Sequence, residues 1–253
     1  MQEQLTDPAA DSILPYDVVT LPSQGIFYKD RKKSVKVSYL NASDENLLAS
    51  PSLTETGKLI DTLLSRKILD KDILLQDMPD CDKEAILIFL RNTAFGTEYN
   101  VTVIDRKTEK EFTTKIDLSV LRTKDITVEL DENNEFEHFL EISKKKVRLS
   151  FISPADEQEL KKIDETHKND PISPYMTKQL AKMLKEVDGV RDPMSIHQFI
   201  QTMPIRDSQI IRKVVRDNTP ELDLTVSVTT PSNETQQLRI NFGVEFFRPF
   251  YGI

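Results

Sequence analysis

The sequence predicts an α+β protein: antiparallel β-hairpins and a meander packed on helices, then a helical segment with a C-terminal β-hairpin. Three observations predict it. Apolar and polar residues alternate with period two in successive runs between residues 99 and 151, which marks strands with one buried face. Between residues 173 and 215 apolar residues recur at helical spacing behind Ser-Pro and Asp-Pro starts. Strand-like runs then return from Leu222 onward. This order divides the 253 residues into an extended arm at 1–17, an α+β domain at 18–152 and a helical domain at 153–253 ending in a hairpin and an aromatic tail.

Each element has a local reason. Residues 1–17 are polar and punctuated by proline. A strand at 18–21 enters the turn Pro22-Ser23-Gln24-Gly25, where proline presets φ and glycine takes φ > 0; after a basic turn at 29–33 the chain returns through Val35, Val37 and Tyr39. Ser43 is placed to cap a short helix through Ala49, with Asp44 and Glu45 in its acidic first turn. Ser52-Leu53-Thr54-Glu55 reads as a capping box, starting a helix with Leu59, Ile60, Leu63 and Leu64 on one stripe. After Pro79 comes a helix that is nearly apolar all round at 85–90, which places it centrally in the core, and Gly96 closes it.

Strands follow on Tyr99/Val101/Val103, on Phe112/Thr114/Ile116 and on Ile126/Val128/Leu130, making a meander; two more lie on Phe136/His138/Leu140 and Val147/Leu149/Phe151. Helices are predicted from Ser153-Pro154, from Ser173-Pro174 through Val187, from Asp192-Pro193, and after Pro204 with Ile210, Ile211, Val214 and Val215 inward. Strands at 222–228 and 237–247 close the chain, with Phe242, Val244 and Phe246 on one side and Phe247 on the other.

Composition narrows the chemistry. Lys and Arg total 34 against 42 Asp and Glu, a net charge of −8 that argues against nucleic acid as the partner. The N-terminus lacks the basic start and apolar stretch of a secretory signal, and no apolar run approaches spanning length; a soluble cytoplasmic protein without a membrane span is expected. One cysteine, Cys81, and three scattered histidines make neither a disulfide nor a closed zinc set, so no metal and no cofactor is predicted. Asp80 and Asp82 flank Cys81 and disfavour its thiolate. Six glycines form no phosphate-binding loop. The acidic turn at 131–135 lacks the ligand spacing of a calcium loop. Glu98 and Asp105 are the kind of carboxylate pair that a cell-wall hydrolase needs, but among 42 acidic residues such pairs arise by chance, and no catalytic residue is predicted.

The ending is more informative. Phe246, Phe247 and Phe250, three of the twelve phenylalanines, fall in the last eight residues. Each large side chain removed from water is worth about 1.5–3 kcal/mol, so the tail packs either on its own domain or into another subunit. Phe246, Phe247, Arg248, Phe250 and Tyr251 are therefore the candidate partner-binding residues. Arg212 and Arg216 join them, because basic and apolar positions alternate along the helix after Pro204, as on a face that meets an acidic partner.

Four stretches carry a resemblance to a known family. They are Leu21-Pro22-Ser23-Gln24-Gly25-Ile26-Phe27-Tyr28 with Ser34 to Val37; residues 40–51, with Ser43-Asp44-Glu45-Asn46 inside; residues 86–96 with Tyr99; and Met203-Pro204-Ile205-Arg206-Asp207-Ser208 with Phe246-Phe247-Arg248-Pro249. In order and spacing the chain resembles the baseplate hub assembly proteins of T-even-like contractile-tailed bacteriophages, most weakly at 155–200. The resemblance implies a non-enzymatic protein that helps to build the central hub, in the cytoplasm of an infected bacterium and in the virion baseplate if retained. Its partners would be other baseplate and tail proteins, met in multiple copies of a symmetric assembly. A transient tail assembly chaperone, absent from the mature virion, is the alternative that the same features allow. Members of that family carry a Cys-Pro-x-Cys-like knuckle before the Phe-Phe-x-Pro ending. Here the turn reads Thr229-Thr230-Pro231-Ser232-Asn233-Glu234, so cross-strand pairs and the aromatic end must hold the hairpin.

Overall fold

A computed structural model describes residues 15–242 and 244–247. The opening hairpin joins β1 (Tyr16–Thr20) to β2 (Ser34–Ser38), with Val19 opposite Val35 and Asp17 opposite Val37. Between them the chain coils through successive turns, from Gln24 N donating to Leu21 O at 3.0 Å to Arg31 N donating to Tyr28 O at 3.0 Å. Gly25 sits at φ +83°, and a Cβ there would lie 2.5 Å from the Arg31 carbonyl carbon, so glycine is required twice over.

Helix α1 (Ala42–Leu48) is capped by Asn41, not by Ser43; Asn41 and Asp44 form the capping box. The helix expected from Ser52 is two helices, α2 (Pro51–Glu55) and α3 (Leu59–Lys67), because Gly57 adopts φ +67° between them. Ser52 lies inside α2 and caps nothing: the N-cap is Ser50, which makes no side-chain cap bond. Helix α4 (Asp80–Phe95) runs through the core as expected and ends at Gly96, φ +80°.

Strands β3 (Glu98–Ile104) and β4 (Glu111–Asp117) pair in full register, but the meander stops there. Ile126, Val128 and Leu130 alternate because one side of an irregular segment is buried, and no strand ladder forms on them. Instead the short β5 (Arg122–Lys124) leaves the hairpin and pairs antiparallel with β9 (Glu221–Asp223). The hairpin of β6 (Glu135–Leu140) and β7 (Lys145–Ser150) follows, then α5 (Pro154–Thr166), whose N-cap Ser153 forms a capping box with Asp156.

Helix α6 (Tyr175–Met183) ends earlier than expected. The spacing of Leu180, Met183, Leu184 and Val187 suits a helix, yet Leu184 turns extended and β8 (Leu184–Val187) adds to the β7 edge, where backbone bonds to a waiting strand outweigh helical periodicity. Helices α7 (Pro193–Thr202) and α8 (Ile205–Asn218) follow, and β10 (Thr225–Thr229) with β11 (Thr235–Arg239) makes the last hairpin. The strand expected through 247 stops at Arg239; residues Val244–Phe247 form a 3₁₀ turn.

Apolar residues gather into two cores. The first takes Leu21, Val35, Val37, Leu63, Leu64, Ile86 and Leu90 from the early elements, and Leu222, Leu224, Val228, Ile240, Phe246 and Phe247 from the last ones. The second takes Phe136, Leu140, Val147 and Leu149 with Leu180, Met183, Ile200, Ile211 and Val215. The cores thus do not follow a division of the chain at 152: the β6–β7 hairpin belongs with the helices, and the terminal hairpin belongs with the opening. The β5–β9 pairing, which returns Leu222 to Thr123, produces this arrangement.

Candidate functional site

Phe246 and Phe247 are 0% and 1% exposed. Within a 3₁₀ turn both can face inward, whereas a strand would have sent one outward. Phe246 makes edge contacts with Tyr99, Phe242 and Phe247 at ring-centre distances of 5.2, 4.9 and 5.1 Å. Beneath them lies the buried Arg91, its guanidinium carbon 5.0 Å from the Tyr99 ring centre and 5.6 Å from that of Phe246. Arg91 donates from Nη1 to Gly96 O at 2.5 Å and from Nη2 to Glu98 O at 2.9 Å, so it ties the end of α4 to the start of β3. Burial lowers its pKa, against the opposing effect of Tyr99. Phe246 and Phe247 are therefore core residues of this chain rather than exposed contacts. Arg248, Phe250 and Tyr251 lie outside the described residues.

Arg212 and Arg216, one turn apart on α8, reach a different place. They line a groove of about 480 Å³ between the two cores, floored by Phe27, Ile152, Met183 and Val215. Asp80 and Glu84 enter from α4, Glu157 from α5, and Glu221 and Arg239 from the terminal strands. Arg212 donates from Nη2 to Ser208 Oγ at 3.1 Å, while its Nη1 is buried without a partner. An unmade bond of that kind costs about 1–3 kcal/mol. Arg216 is exposed, with Nε 3.6 Å from Asp217.

The acidic wall is electrostatically crowded. Burial first, then Asp80 and Glu221, push Glu84 up to about 7, with Arg239 opposing. Burial and then Asp80 also raise Glu157, against Lys161 and Lys83. Cys81, on the same wall, has its thiol pushed up by burial, then by Asp82 and Glu84. The thiol is thereby kept protonated and unreactive.

Three buried acidic residues, none expected from the sequence to be buried, hold the remaining motifs in place. Asp82, 0% exposed, accepts from Ser23 N at 2.8 Å, Ser23 Oγ at 2.6 Å and Tyr28 Oη at 2.7 Å, which binds the 21–28 turn to the start of α4. Asp44 pairs with the buried Lys67, whose Nζ also donates to Tyr39 O at 3.0 Å. Asp207 accepts from the Ser143 amide at 2.8 Å and from its hydroxyl, so α8 grips the β6–β7 turn. At the last hairpin Asp105 accepts from Ser232 N at 3.1 Å and Ser232 Oγ at 3.0 Å.

A family model described as T4 bacteriophage base plate protein matches residues 17–248. The chain belongs to that family. Comparisons with curated proteins and with solved structures find no match. A structural role in a phage baseplate follows from the family, with other tail proteins as its partners and the baseplate as its location. In this base plate protein Glu98 opens β3 and Asp105 follows its last residue, about 23 Å away at ~3.3 Å per residue. That separation keeps the two carboxylates from flanking one bond, and Glu98 pairs instead with Lys115 at 2.8 Å. Among the described residues no group of His, Cys, Asp and Glu could hold a metal, and no helix is long and apolar enough to cross a membrane.

Proposed function

We propose that the protein is a non-enzymatic component of the central hub of a contractile-tail baseplate. It acts through contacts with other tail proteins, joins the hub in the host cytoplasm and stays in the virion, in a copy number set by the baseplate symmetry. One observation carries this reading: each of the family motifs spends at least one described polar side chain on an internal bond. Ser23 and Tyr28 hold Asp82, Asp44 holds Lys67, Arg91 holds Gly96 and Glu98, and Asp207 holds Ser143. These bonds fix a rigid body and assemble no reactive constellation. The contacts are assigned to Arg248, Phe250 and Tyr251 at the tail and to Arg212 and Arg216 at the groove.

Quantitative mass spectrometry of mature particles beside stalled tail intermediates tests the reading. A fixed copy number in mature particles supports a built-in hub component. Abundance in intermediates with absence from particles makes the protein a transient chaperone, and absence from both ends the hub reading. Removing residues 248–253 should weaken binding to tail proteins without unfolding the chain; undiminished binding removes the tail from the contact set.

A further inference from the structure

We propose that the turn at residues 21–31 is a latch between two bodies of the chain, and that the bodies hinge about the β5–β9 crossing when the latch is released. The first body, built on the first core, takes residues 15–124 and those from 219 onward; the second, built on the second core, takes residues 125–218. The chain passes between them only twice, after Lys124 and after Asn218. The two passages lie side by side, because Lys124 pairs with Glu221 in the β5–β9 ladder. Two neighbouring crossings at the ends of short strands are the geometry of a hinge.

The latch is fastened unequally to the two bodies. On the first, Ser23 and Tyr28 donate to Asp82, a carboxylate that is fully buried. On the second, Ile26 and Phe27 pack against the core while remaining partly exposed. Arg31 donates from Nη2 to Asp131 O and to Glu132 O, each at 2.8 Å, and Asn134 donates from Nδ2 to Ile26 O at 2.8 Å. Asp131 is itself paired with Arg148 of β7, so these bonds end on the second sheet. The Arg31 bonds are exposed to water, which replaces them at little cost, whereas Asp82 has no such substitute. The second attachment therefore gives first, and the turn stays with the first body.

Little else polar spans the boundary. Among the described residues the one further side-chain hydrogen bond between the bodies is Lys124 Nζ to Arg216 O at 2.9 Å, beside the hinge, and no ion pair joins them. Helix α5 lies against the 3₁₀ turn Leu75–Asp77 of the first body without a bond of either kind. The groove of about 480 Å³ keeps the bodies apart between the two attachments, with Phe27 of the latch and Thr219, Pro220 and Glu221 of the hinge in its lining. The motif bonds of Asp44, Arg91 and Asp207 each lie inside one body. With the latch closed the chain is one rigid body; with it open, two.

Strain marks the same place. Gln24 and Arg31 hold φ at +53° and +50° in the latch, and Asn134, which meets it, holds +59°. Non-glycine residues keep such a backbone only where their surroundings overdetermine it. A neighbouring protein that binds one angle of the two bodies better than the other would draw the population toward that angle.

Hydrogen exchange of the full chain, read by mass spectrometry, tests the latch. In the parent the best-protected peptides of residues 15–121 and 126–218 should open together. The variant R31A/N134G removes all three donors of the second attachment, and glycine keeps the φ that Asn134 adopts. In it the less stable body should open with a constant raised at least about tenfold, while the other body keeps the parent's value. Peptides across 16–38 should stay protected, because Ser23 and Tyr28 remain on Asp82. K124M, which removes the bond beside the hinge, should leave the bodies coupled. Spin labels at Thr108 and Lys168, exposed positions on the first and second body, should give one distance in the parent and a second population in R31A/N134G. N134G alone carries the same comparison if the double variant does not fold. Parent bodies that exchange independently overturn the proposal. So does a latch variant whose bodies still open together at a single distance, or one that loses protection at 16–38. The device belongs to the isolated chain, so none of these outcomes bears on the hub reading.

Discussion

The Asp82 carboxylate holds Ser23 with both of its oxygens, Oδ1 taking the amide at 2.8 Å and Oδ2 the hydroxyl at 2.6 Å. Burial pushes the Asp82 carboxyl up, and the hydrogen bonds of Ser23, Tyr28 and Cys81 draw it back down. A buried carboxylate that loses such donors keeps its desolvation cost and nothing to offset it. Ser23→Ala should therefore destabilise the fold by about 1–3 kcal/mol and Asp82→Ala by about 3 kcal/mol, measured as shifts in the urea midpoint. A change under ~0.5 kcal/mol for Ser23→Ala would mean that the turn does not depend on this bond.

Two glycines at positive φ should respond differently to alanine. At Gly25 the added Cβ meets the Arg31 carbonyl carbon at 2.5 Å and its oxygen at 2.6 Å, whereas at Gly57 nothing lies within 4 Å. Gly57→Ala should cost only the left-handed backbone, about 1–2 kcal/mol. Gly25→Ala adds a clash with main chain and should cost clearly more. Thermal melts of the two variants side by side check the order.

The Asp44–Lys67 pair is buried on both sides, with side chains 1% and 3% exposed. Lys67→Met strands the carboxylate and should destabilise by about 3–5 kcal/mol, while the joint change to Asp44→Leu and Lys67→Met should recover most of that loss. A double variant as unstable as the single one would contradict the desolvation account.

Glu84 makes stability depend on pH in a stated direction. Its carboxyl titrates at an ordinary 4.5 when unfolded and at about 7 when folded. The folded state therefore holds the proton more tightly. The contribution is complete below about 4.5 and is lost as pH rises through 7. Because the side chain is half-buried, solvent screening reduces the effect to about 1 kcal/mol. Glu84→Gln should match the parent at pH 5 and exceed it by about that amount at pH 8, in denaturant titrations at the two values.

Phe246 should behave as a core residue. Phe246→Ala opens a cavity among Tyr99, Phe242 and Phe247 and strips one aromatic face from Arg91, at about 3–5 kcal/mol. Calorimetry on this variant distinguishes a core anchor from a surface contact, whose loss would leave the melting temperature in place.

The helix at Asp80–Phe95, the hairpins and the proline-started helices were legible because each announces itself within a few residues. The pairing of Thr123 with Leu222 was not, since three-residue strands carry no period and their partners are a hundred positions apart. The internal carboxylates were half legible. Asp44 lies three and four residues before Leu47 and Leu48, Lys67 three and four after Leu64 and Leu63, and Asp207 three and four before Ile210 and Ile211. A charge on an apolar stripe is a buried charge, and a buried charge needs a partner. That signal marks the residue without naming its partner, which only the fold supplies. The groove was illegible for the same reason: Glu84, Glu157, Arg212 and Arg239 meet only after both cores form.

The late arrival of Leu222, Leu224, Val228, Ile240, Phe246 and Phe247 in the first core has a consequence for synthesis on the ribosome. Residues 126–218 hold the main elements of the second core and can collapse while the chain is still growing. The opening hairpin and α4 wait, with apolar surface uncovered, until the final strands emerge. The early elements of the first core are made before residues 222–247 and completed only by them, so the nascent chain is most open to misassociation in the interval before those residues emerge.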